Sequence, residues 1–236
     1  MSDKSPVYLL AGGRPANPRT PDPLIQAVFR KSGKTSPAIA CIGAANGDNQ
    51  EFFSRMARAF SEAGASRTIH AIVSPEGADL SAARRILESA DIIFMSGGDV
   101  EMGMRLLKNR NMVEFLTILY EGGKLFFGSS AGAIMLAKEW VCWRDPDDSS
   151  SAELFPCLGL APVICDCHDE KSGWEELKAA LGLEEDNTTG YGLVSGTALI
   201  VFPDDTLEAL GGAIHRYIRH GDSVDRMPDL LPTSCR

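Results

Sequence analysis

The sequence lacks an excess of basic residues. Its 236 residues include 23 lysines and arginines against 32 aspartates and glutamates, which gives a net charge of −9. Such a balance disfavours binding to nucleic-acid phosphates or to anionic lipid headgroups. The apolar runs are also short, and none approaches the roughly 20 residues that a membrane-spanning helix needs. We therefore expect no nucleic-acid partner and no membrane partner.

The sequence also lacks the dense cysteine framework of small secreted proteins. Six cysteines are scattered along the chain, and several stand inside apolar runs. This distribution is typical of reduced, buried thiols in a cytoplasmic protein. The N-terminal stretch MSDKSPVYLLAGG places an acid beside its lysine and enters a short apolar run at once, so it is a poor signal peptide. We therefore expect a cytoplasmic location.

The sequence does contain a regular alternation of short apolar runs and helical patterns. Runs of strand length, each followed by Gly, Ser or Ala, occur at residues 7–10, 38–42, 68–73, 92–95 and 125–127. Between and after them, apolar residues recur at helical spacing. This alternation predicts a three-layer α/β/α sandwich with a mostly parallel central sheet. No linker, repeat or low-complexity stretch interrupts it, so we expect residues 1–236 to form one domain.

The stretch Gly128-Ser129-Ser130-Ala131-Gly132 stands between a predicted buried strand and a predicted buried helix. A G-x-S-x-G pattern in this context is typical of a nucleophile elbow, in which a tight turn lifts the serine hydroxyl to the rim of the sheet. The amide of Ala131 can there stabilise an oxyanion. The alternative is a small-residue turn where strand and helix merely pack closely, and the strand-to-helix context favours the elbow.

Two further stretches favour a catalytic site. Ser96-Gly97-Gly98-Asp99 follows the strand that precedes the elbow strand in sequence, and the Gly98 amide is a candidate second oxyanion donor. Asp166-Cys167-His168 ends a later apolar run, and His168 is the candidate general base. Taken singly, these features would be better explained as an ordinary strand-to-helix turn and a structural histidine.

Together these residues resemble the dipeptidase E and cyanophycinase family of serine peptidases, whose fold is similar to class I glutamine amidotransferase domains. The resemblance covers most of the chain and rests on segments 96–99, 128–132, 158–168 and 190–199. It implies that Ser130 is the nucleophile, that His168 is the base, and that the amides of Gly98 and Ala131 form the oxyanion hole. The implied reaction is hydrolysis of small peptides, either aspartyl dipeptides or β-linked aspartyl peptides, through an acyl-enzyme. It requires no cofactor.

The chain departs from the family at two places. Asp99-Val100 stands where the family commonly has Asn-Thr, and Val194-Ser195-Gly196 stands where it commonly has an acidic pair. A glutamate of that later segment has been proposed as the third triad member in parts of the family. The competing hypothesis is therefore a catalytically inactive binding or regulatory domain of the same fold.

The acid that orients His168 must come from elsewhere. Asp145, on the polar loop after the elbow helix, resembles a position implicated in dipeptidase E and is the first candidate. Asp166 is the second candidate. It lies two residues before His168, so on a strand the two side chains share a face, but at roughly 6–7 Å they are too far apart for a direct hydrogen bond without a turn. We expect Asp169 and Glu170 to be solvated acids at the start of a helix.

Other chemistries fit the sequence less well. Residues 165–168 include metal-ligand types, but adjacent strand side chains point to opposite faces and no second cluster exists, so we expect no metal site. An α/β-hydrolase would use a histidine near the C-terminus, such as His215 or His220, and would need more strands after the elbow than the chain has room for. An amidotransferase normally has cysteine at the elbow, where this chain has Ser130.

The expected partner is a small peptide substrate. Arg14, after the first strand, is a candidate for contact with a substrate carboxylate, although a solvated loop residue is the simpler interpretation. Homodimers are common for this fold, but no pattern in the sequence marks an interface.

Overall fold

The computed structural model describes residues 4–13, 20–145 and 147–233. Within these ranges the helices α1 to α7 are Pro23–Lys31, Gln50–Ala63, Leu80–Ser89, Val100–Asn109, Val113–Glu121, Ala131–Leu136 and Glu175–Leu183. The strands β1 to β13 are Val7–Leu10, Ala38–Ile42, Arg67–His70, Ile92–Met95, Leu125–Ser129, Glu139–Trp143, Ala152–Pro156, Ile164–Cys167, Thr189–Leu193, Ala198–Val201, Leu207–Leu210, Ile214–His220 and Ser223–Leu230. None of these helices is long and apolar enough to cross a membrane.

The central sheet has the strand order β11-β10-β1-β5-β4-β2-β3 within the described residues. The first five strands of the chain pair in parallel, and β10 and β11 add an antiparallel edge beside β1. The predicted mostly parallel sheet is thus confirmed. Because β5 lies between β1 and β4, its carboxyl end opens at the middle of the sheet edge where ligands of such folds bind.

Helices cover both faces of this sheet, as the sequence predicts. Successive residues of β4 and β5 point to opposite faces. Phe94 and Phe127 lie in the layer of α1 and α2, where their rings pack 5.0 and 5.5 Å from that of Phe60. Met95 and Phe126 lie in the layer of α3 to α6. Two apolar layers therefore enclose the sheet, and the three-layer sandwich is confirmed.

A second, smaller sheet was not predicted from the sequence. It has the order β13-β12-β9-β8, and the β6–β7 hairpin packs beside it with α7. Strands β12 and β13 are half-exposed and carry charged residues, so they lack the continuous apolar runs that marked the central strands. Residues 194–197 lead the chain from β9 in this sheet to β10 in the central sheet.

The elbow between β5 and α6 requires glycine because backbone packs directly on backbone there. A Cβ atom on Gly128 would overlap the carbonyl of Gly132, and one on Gly132 would overlap the carbonyl oxygen of Met95. Ser130, between them, has φ 56° and ψ −126°, a conformation that L-residues rarely adopt. Its N–H donates to the Leu10 carbonyl over 3.0 Å. The two glycines thereby fix the serine at the tip of β5.

The substitution Gly128→Ala is expected to lower the free energy of unfolding by about 3 kcal/mol or more, because backbone cannot move aside as a flexible side chain can. Urea unfolding followed by circular dichroism measures the effect. The matched control is Gly182→Ala in α7, where an added methyl meets open space and should stabilise the helix by up to about 1 kcal/mol. Equal stability of Gly128→Ala and the parent would contradict this account of the elbow.

Candidate active site

The elbow serine and the histidine at the end of β8 meet between the two sheets. Ser130 Oγ and His168 Nε2 are 2.7 Å apart, which is hydrogen-bond distance. His168 has φ 48°, and its N–H donates to the Leu193 carbonyl over 2.9 Å, so the β8–β9 pairing continues one residue beyond the strand. The structure therefore brings together the two residues that the sequence predicts as nucleophile and base.

One predicted oxyanion donor is the amide of Ala131, which follows the serine in the elbow. The other is the amide of Gly98, in the adjacent Gly-Gly turn. The Gly97 backbone packs against Ser130, since a Cβ on Gly97 would lie 3.2 Å from the Ser130 Cβ. Gly98 has φ 149°, and a side chain there would overlap the Ala45 carbonyl. In the part of the chain that the structure describes, the amides of Gly98 and Ala131 have no hydrogen-bond acceptor. Both are available to a substrate oxygen.

Asn46 holds the Gly-Gly turn and was missed by the sequence analysis. Its Nδ2 donates to Ser96 Oγ and to the Gly97 carbonyl, both over 2.9 Å. Asp99, at the other end of the turn, is the N-cap of α4 and accepts from the Met102 amide over 2.8 Å. Because Asp and Asn cap helices about equally well, the departure from the family at Asp99 preserves the turn.

The structure does not bring Asp145 to His168. Asp145 is exposed on the β6–β7 connection, and its Oδ1 accepts from the Asp147 amide over 3.0 Å. Its own N–H donates to Ser151 Oγ over 3.0 Å. Within the described residues, the Asp145 side chain thus closes its own turn and makes no hydrogen bond or ion pair with His168.

Asp166 is buried beneath the site but does not pair with His168 either. One oxygen accepts from the Cys167 amide over 2.7 Å, and the other is buried with no partner among the described residues. Burial, followed by the charge of Glu176, raises the pKa of Asp166 to about 7. The neighbouring Asp169 carboxyl also has an unpaired buried oxygen. One proton shared by Asp166 and Asp169 would satisfy both oxygens.

The expectation that Asp169 and Glu170 stand at the start of a helix is wrong, because α7 begins later, at Glu175. Glu170 is exposed, as expected of a solvated acid, whereas Asp169 is half-buried. Glu170 Oε1 accepts the Ser195 N–H over 2.6 Å. Burial raises the pKa of Glu170, but the bonds to Ser195 and the charge of His168 outweigh it and hold the pKa below its ordinary value. The run Asp-Glu-Lys-Ser resembles an ordinary polar loop, so no sequence signal marked this contact.

The late histidines serve other contacts. His215 Nδ1 accepts from Trp174 Nε1 over 3.2 Å, and burial lowers the pKa of His215. His220 lies at the β12–β13 turn, 3.8 Å from Asp225. Neither pairs with Ser130, so the arrangement of an α/β-hydrolase is not found.

No metal centre accompanies the site in the described ranges, where no group of three His, Cys, Asp or Glu side chains is placed to hold an ion. Cys165 and Cys167 are buried free thiols, and burial raises the pKa of each. Arg14, the candidate contact for a substrate carboxylate, lies outside the described residues.

Comparison with known proteins gives consistent results. The model of peptidase family S51 matches residues 7–209. A cyanophycinase of Trichormus variabilis is 26% identical over 195 residues, which cover 80% of this chain and 65% of the relative's length. The uncharacterized peptidase YgaJ of Bacillus subtilis is 25% identical over 188 residues, 79% of each chain. The crystal structure of a peptidase from an acI-B1 Actinobacterium has the same fold, with a TM-score of 0.72, 17% identity and coverage of 97% of both chains.

Asp166→Asn is expected to stabilise the protein more at pH 8 than at pH 5. The pKa of Asp166 is raised from 3.8 to about 7 by folding. Below about pH 4 the Asp166 carboxyl is protonated in both the folded and the unfolded state, so its burial does not lower the stability. Between about pH 4 and pH 7 only the unfolded state releases the proton, so the free energy of unfolding of the parent falls. Asparagine does not titrate, so the free energy of unfolding of Asp166→Asn should rise relative to that of the parent by about 2–3 kcal/mol between pH 5 and pH 8.

Urea unfolding at the two pH values measures this difference. Asp222→Asn, at the exposed β12–β13 turn, is the matched control and should show no such growth. An advantage of Asp166→Asn that is equal at both pH values would show that the buried carboxyl is not the titrating group.

Proposed function

Because the chain belongs to peptidase family S51, we propose that it is a serine peptidase that hydrolyses small peptides through an acyl-enzyme on Ser130. The observation that carries the proposal is the 2.7 Å contact of Ser130 Oγ with His168 Nε2, made from a strained turn that exposes the hydroxyl at the carboxyl edge of the sheet. Pairing of a nucleophile with a base at hydrogen-bond distance is the geometry that acyl transfer needs.

The reaction follows from this geometry. Ser130 Oγ attacks the peptide carbonyl carbon while His168 Nε2 takes the hydroxyl proton, and the carbonyl electron pair moves to oxygen. The amides of Gly98 and Ala131 donate to that oxyanion. Collapse of the tetrahedral intermediate breaks the C–N bond, and the leaving amine takes the proton from His168. Water then repeats the sequence on the acyl-enzyme and releases Ser130.

The proposed substrates are aspartyl dipeptides or β-linked aspartyl peptides. Two observations support small peptides of this class: the resemblance to the dipeptidase E and cyanophycinase family, and the name of the cyanophycinase relative. The chain spans only 65% of that relative's length, so its substrate does not transfer directly. The proposal keeps the cytoplasmic location that the sequence predicts.

One observation favours a second candidate, an inactive binding or regulatory domain. Among the described residues, the histidines that form ion pairs with carboxylates are His70 and His220, and His168 is not one of them. A catalytic histidine needs an acceptor or a negative charge near its second ring nitrogen to stabilise the imidazolium. A site without one would bind peptides and cleave them slowly or not at all.

Fluorophosphonate labelling separates the two candidates, because only an activated serine reacts rapidly with the reagent. The folded parent should be labelled on Ser130, and Ser130→Ala should lose all labelling. Ser129→Ala is the matched control, since it removes the adjacent hydroxyl and leaves the elbow glycines in place; it should be labelled like the parent. Folded parent protein that is not labelled would establish the inactive domain instead.

A peptide panel tests the substrate class. Asp-X and isoAsp-X dipeptides should be hydrolysed, peptides blocked at both ends should be poor substrates, and Ser130→Ala should lower kcat/KM by about 10⁴-fold or more. Liquid chromatography of the products measures the rates. Efficient cleavage of a folded protein at internal sites, with no hydrolysis of the dipeptides, would contradict the small-peptide assignment.

A further inference from the structure

One peptide group joins the Gly97 carbonyl to the Gly98 N–H, which is the second candidate oxyanion donor. Among the described residues the Gly98 N–H has no acceptor, whereas the Gly97 carbonyl accepts from Asn46 Nδ2 over 2.9 Å. No peptide bond in the described ranges is cis. Because the C=O and N–H bonds of a planar trans peptide point in opposite directions, the bond from Asn46 determines the direction of the Gly98 N–H.

This peptide group needs an external hold because both of its residues are glycine. Glycine adopts positive and negative φ with similar ease, so side-chain sterics do not select one orientation of the peptide plane. A rotated plane would turn the Gly97 carbonyl towards Ser130, against which the Gly97 backbone packs. A carbonyl oxygen in that position would repel the oxyanion that an amide stabilises.

The following peptide group is held as well, by the neighbouring residue Ala45. Its carbonyl accepts from the Asp99 N–H over 2.7 Å, and it lies so close to Gly98 that a side chain there would overlap it. Ala45 and Asn46 belong to the short 3-10 turn Ala44–Asn46 after β2. Two consecutive residues of this turn therefore hold the peptide groups on both sides of Gly98.

The side chain of Asn46 is itself held in one orientation. Its Oδ1 accepts from the Asn49 N–H over 3.1 Å, which leaves Nδ2 to donate to Ser96 Oγ and to the Gly97 carbonyl. Exchange of the two side-chain atoms would place Oδ1 against the Gly97 carbonyl, and neither oxygen could donate. Asn46 therefore presents a donor to the turn.

A buried carboxylate anchors the loop that carries Asn46. The Asp48 side chain is only 3% exposed. Its Oδ1 accepts from the Gly43 N–H over 3.0 Å, and its Oδ2 accepts from the N–H groups of Val73 and Ser74, both over 2.7 Å. These bonds tie the loop to the carboxyl end of β2 and to the segment after β3. Asn46 thus stands on a fixed support.

We propose that Asn46 is a positioning residue of the site, which holds the Gly97–Gly98 peptide so that the Gly98 N–H points at the substrate oxygen bound beside Ser130. This inference rests on the proposed function for its catalytic meaning. Asn46 acts through the peptide group and does not touch the reacting atoms. Its hydrogen bond also polarises the peptide, which makes the Gly98 N–H a stronger donor.

Two variants of Asn46 test the proposal. Asn46→Asp keeps the acceptor for the Asn49 N–H but replaces the donor by an oxygen that repels the Gly97 carbonyl. Asn46→Ala removes the donor without adding a charge. In both variants kcat for the dipeptide that the parent hydrolyses should fall about 100-fold, as on loss of one oxyanion donor. KM should hardly change, because the oxyanion forms only after the substrate has bound.

Gln50→Glu is the matched control. Gln50 is exposed at the first position of α2, so the substitution adds the same charge as Asn46→Asp on the same loop, at a helix end that favours an acid. It should leave both kcat and KM as in the parent. Urea unfolding followed by circular dichroism verifies that each variant is folded under the conditions of the assay.

An NMR measurement reports on the peptide group independently of activity. In protein labelled with ¹³C and ¹⁵N, loss of the hydrogen bond should move the Gly97 carbonyl carbon upfield in both Asn46 variants and leave it unmoved in Gln50→Glu. An unmoved Gly97 resonance, an unchanged kcat, or a rise in KM that accounts for the whole loss of kcat/KM would each overturn the proposal. An upfield shift in a chain whose parent hydrolyses no dipeptide would uphold the hold on the peptide while refuting the peptidase function.

Discussion

Direct backbone contact between α6 and the strands β4 and β5 is the constraint on which the site depends. It is possible only because Gly128 and Gly132 carry no side chains, and it forces the intervening Ser130 into a positive φ. The same closeness brings the Ser96–Asp99 turn against the serine, so that one hydroxyl lies beside two amides that have no acceptor among the described residues. The strain is therefore local to Ser130 and is supported by buried strands on both sides of β5.

The rest of the site comes from a different sheet. His168 belongs to the end of β8 in the four-stranded sheet, whereas Ser130 belongs to the central one. The segment 194–197 joins the two sheets: the Gly196 amide donates to the Gly12 carbonyl, the Thr197 carbonyl accepts from the Ala11 amide, and the Ser195 amide holds Glu170. One short connection thus contacts the loop beside Ser130 and the turn that carries His168.

The central sheet and its elbow could be predicted from the sequence because their signals are local. Continuous apolar strands and a strand–G-x-S-x-G–helix pattern depend on residues that are neighbours along the chain. The second sheet could not, since β12 and β13 are half-polar strands without a continuous apolar run. Their hairpin joins the sheet through β9, from which β10 and β11 separate it along the chain. The Glu170–Ser195 bond could not be predicted either, because it joins two polar loops, and neither loop has a periodic pattern. Asp145 was favoured by its position in the chain, but that position does not determine which group its carboxylate binds.

Ser130 and His168 lie on separate sheets, so the distance between Oγ and Nε2 depends on how those two sheets are aligned. Each sheet has its own strand pairing, so a small rotation of one against the other could separate Oγ from Nε2 while every strand stays folded. The Ser130–His168 contact can therefore be lost while the secondary structure remains. Substitutions where the two sheets meet, far from either atom, would then break the contact between Ser130 and His168 in a chain that still appears native by circular dichroism.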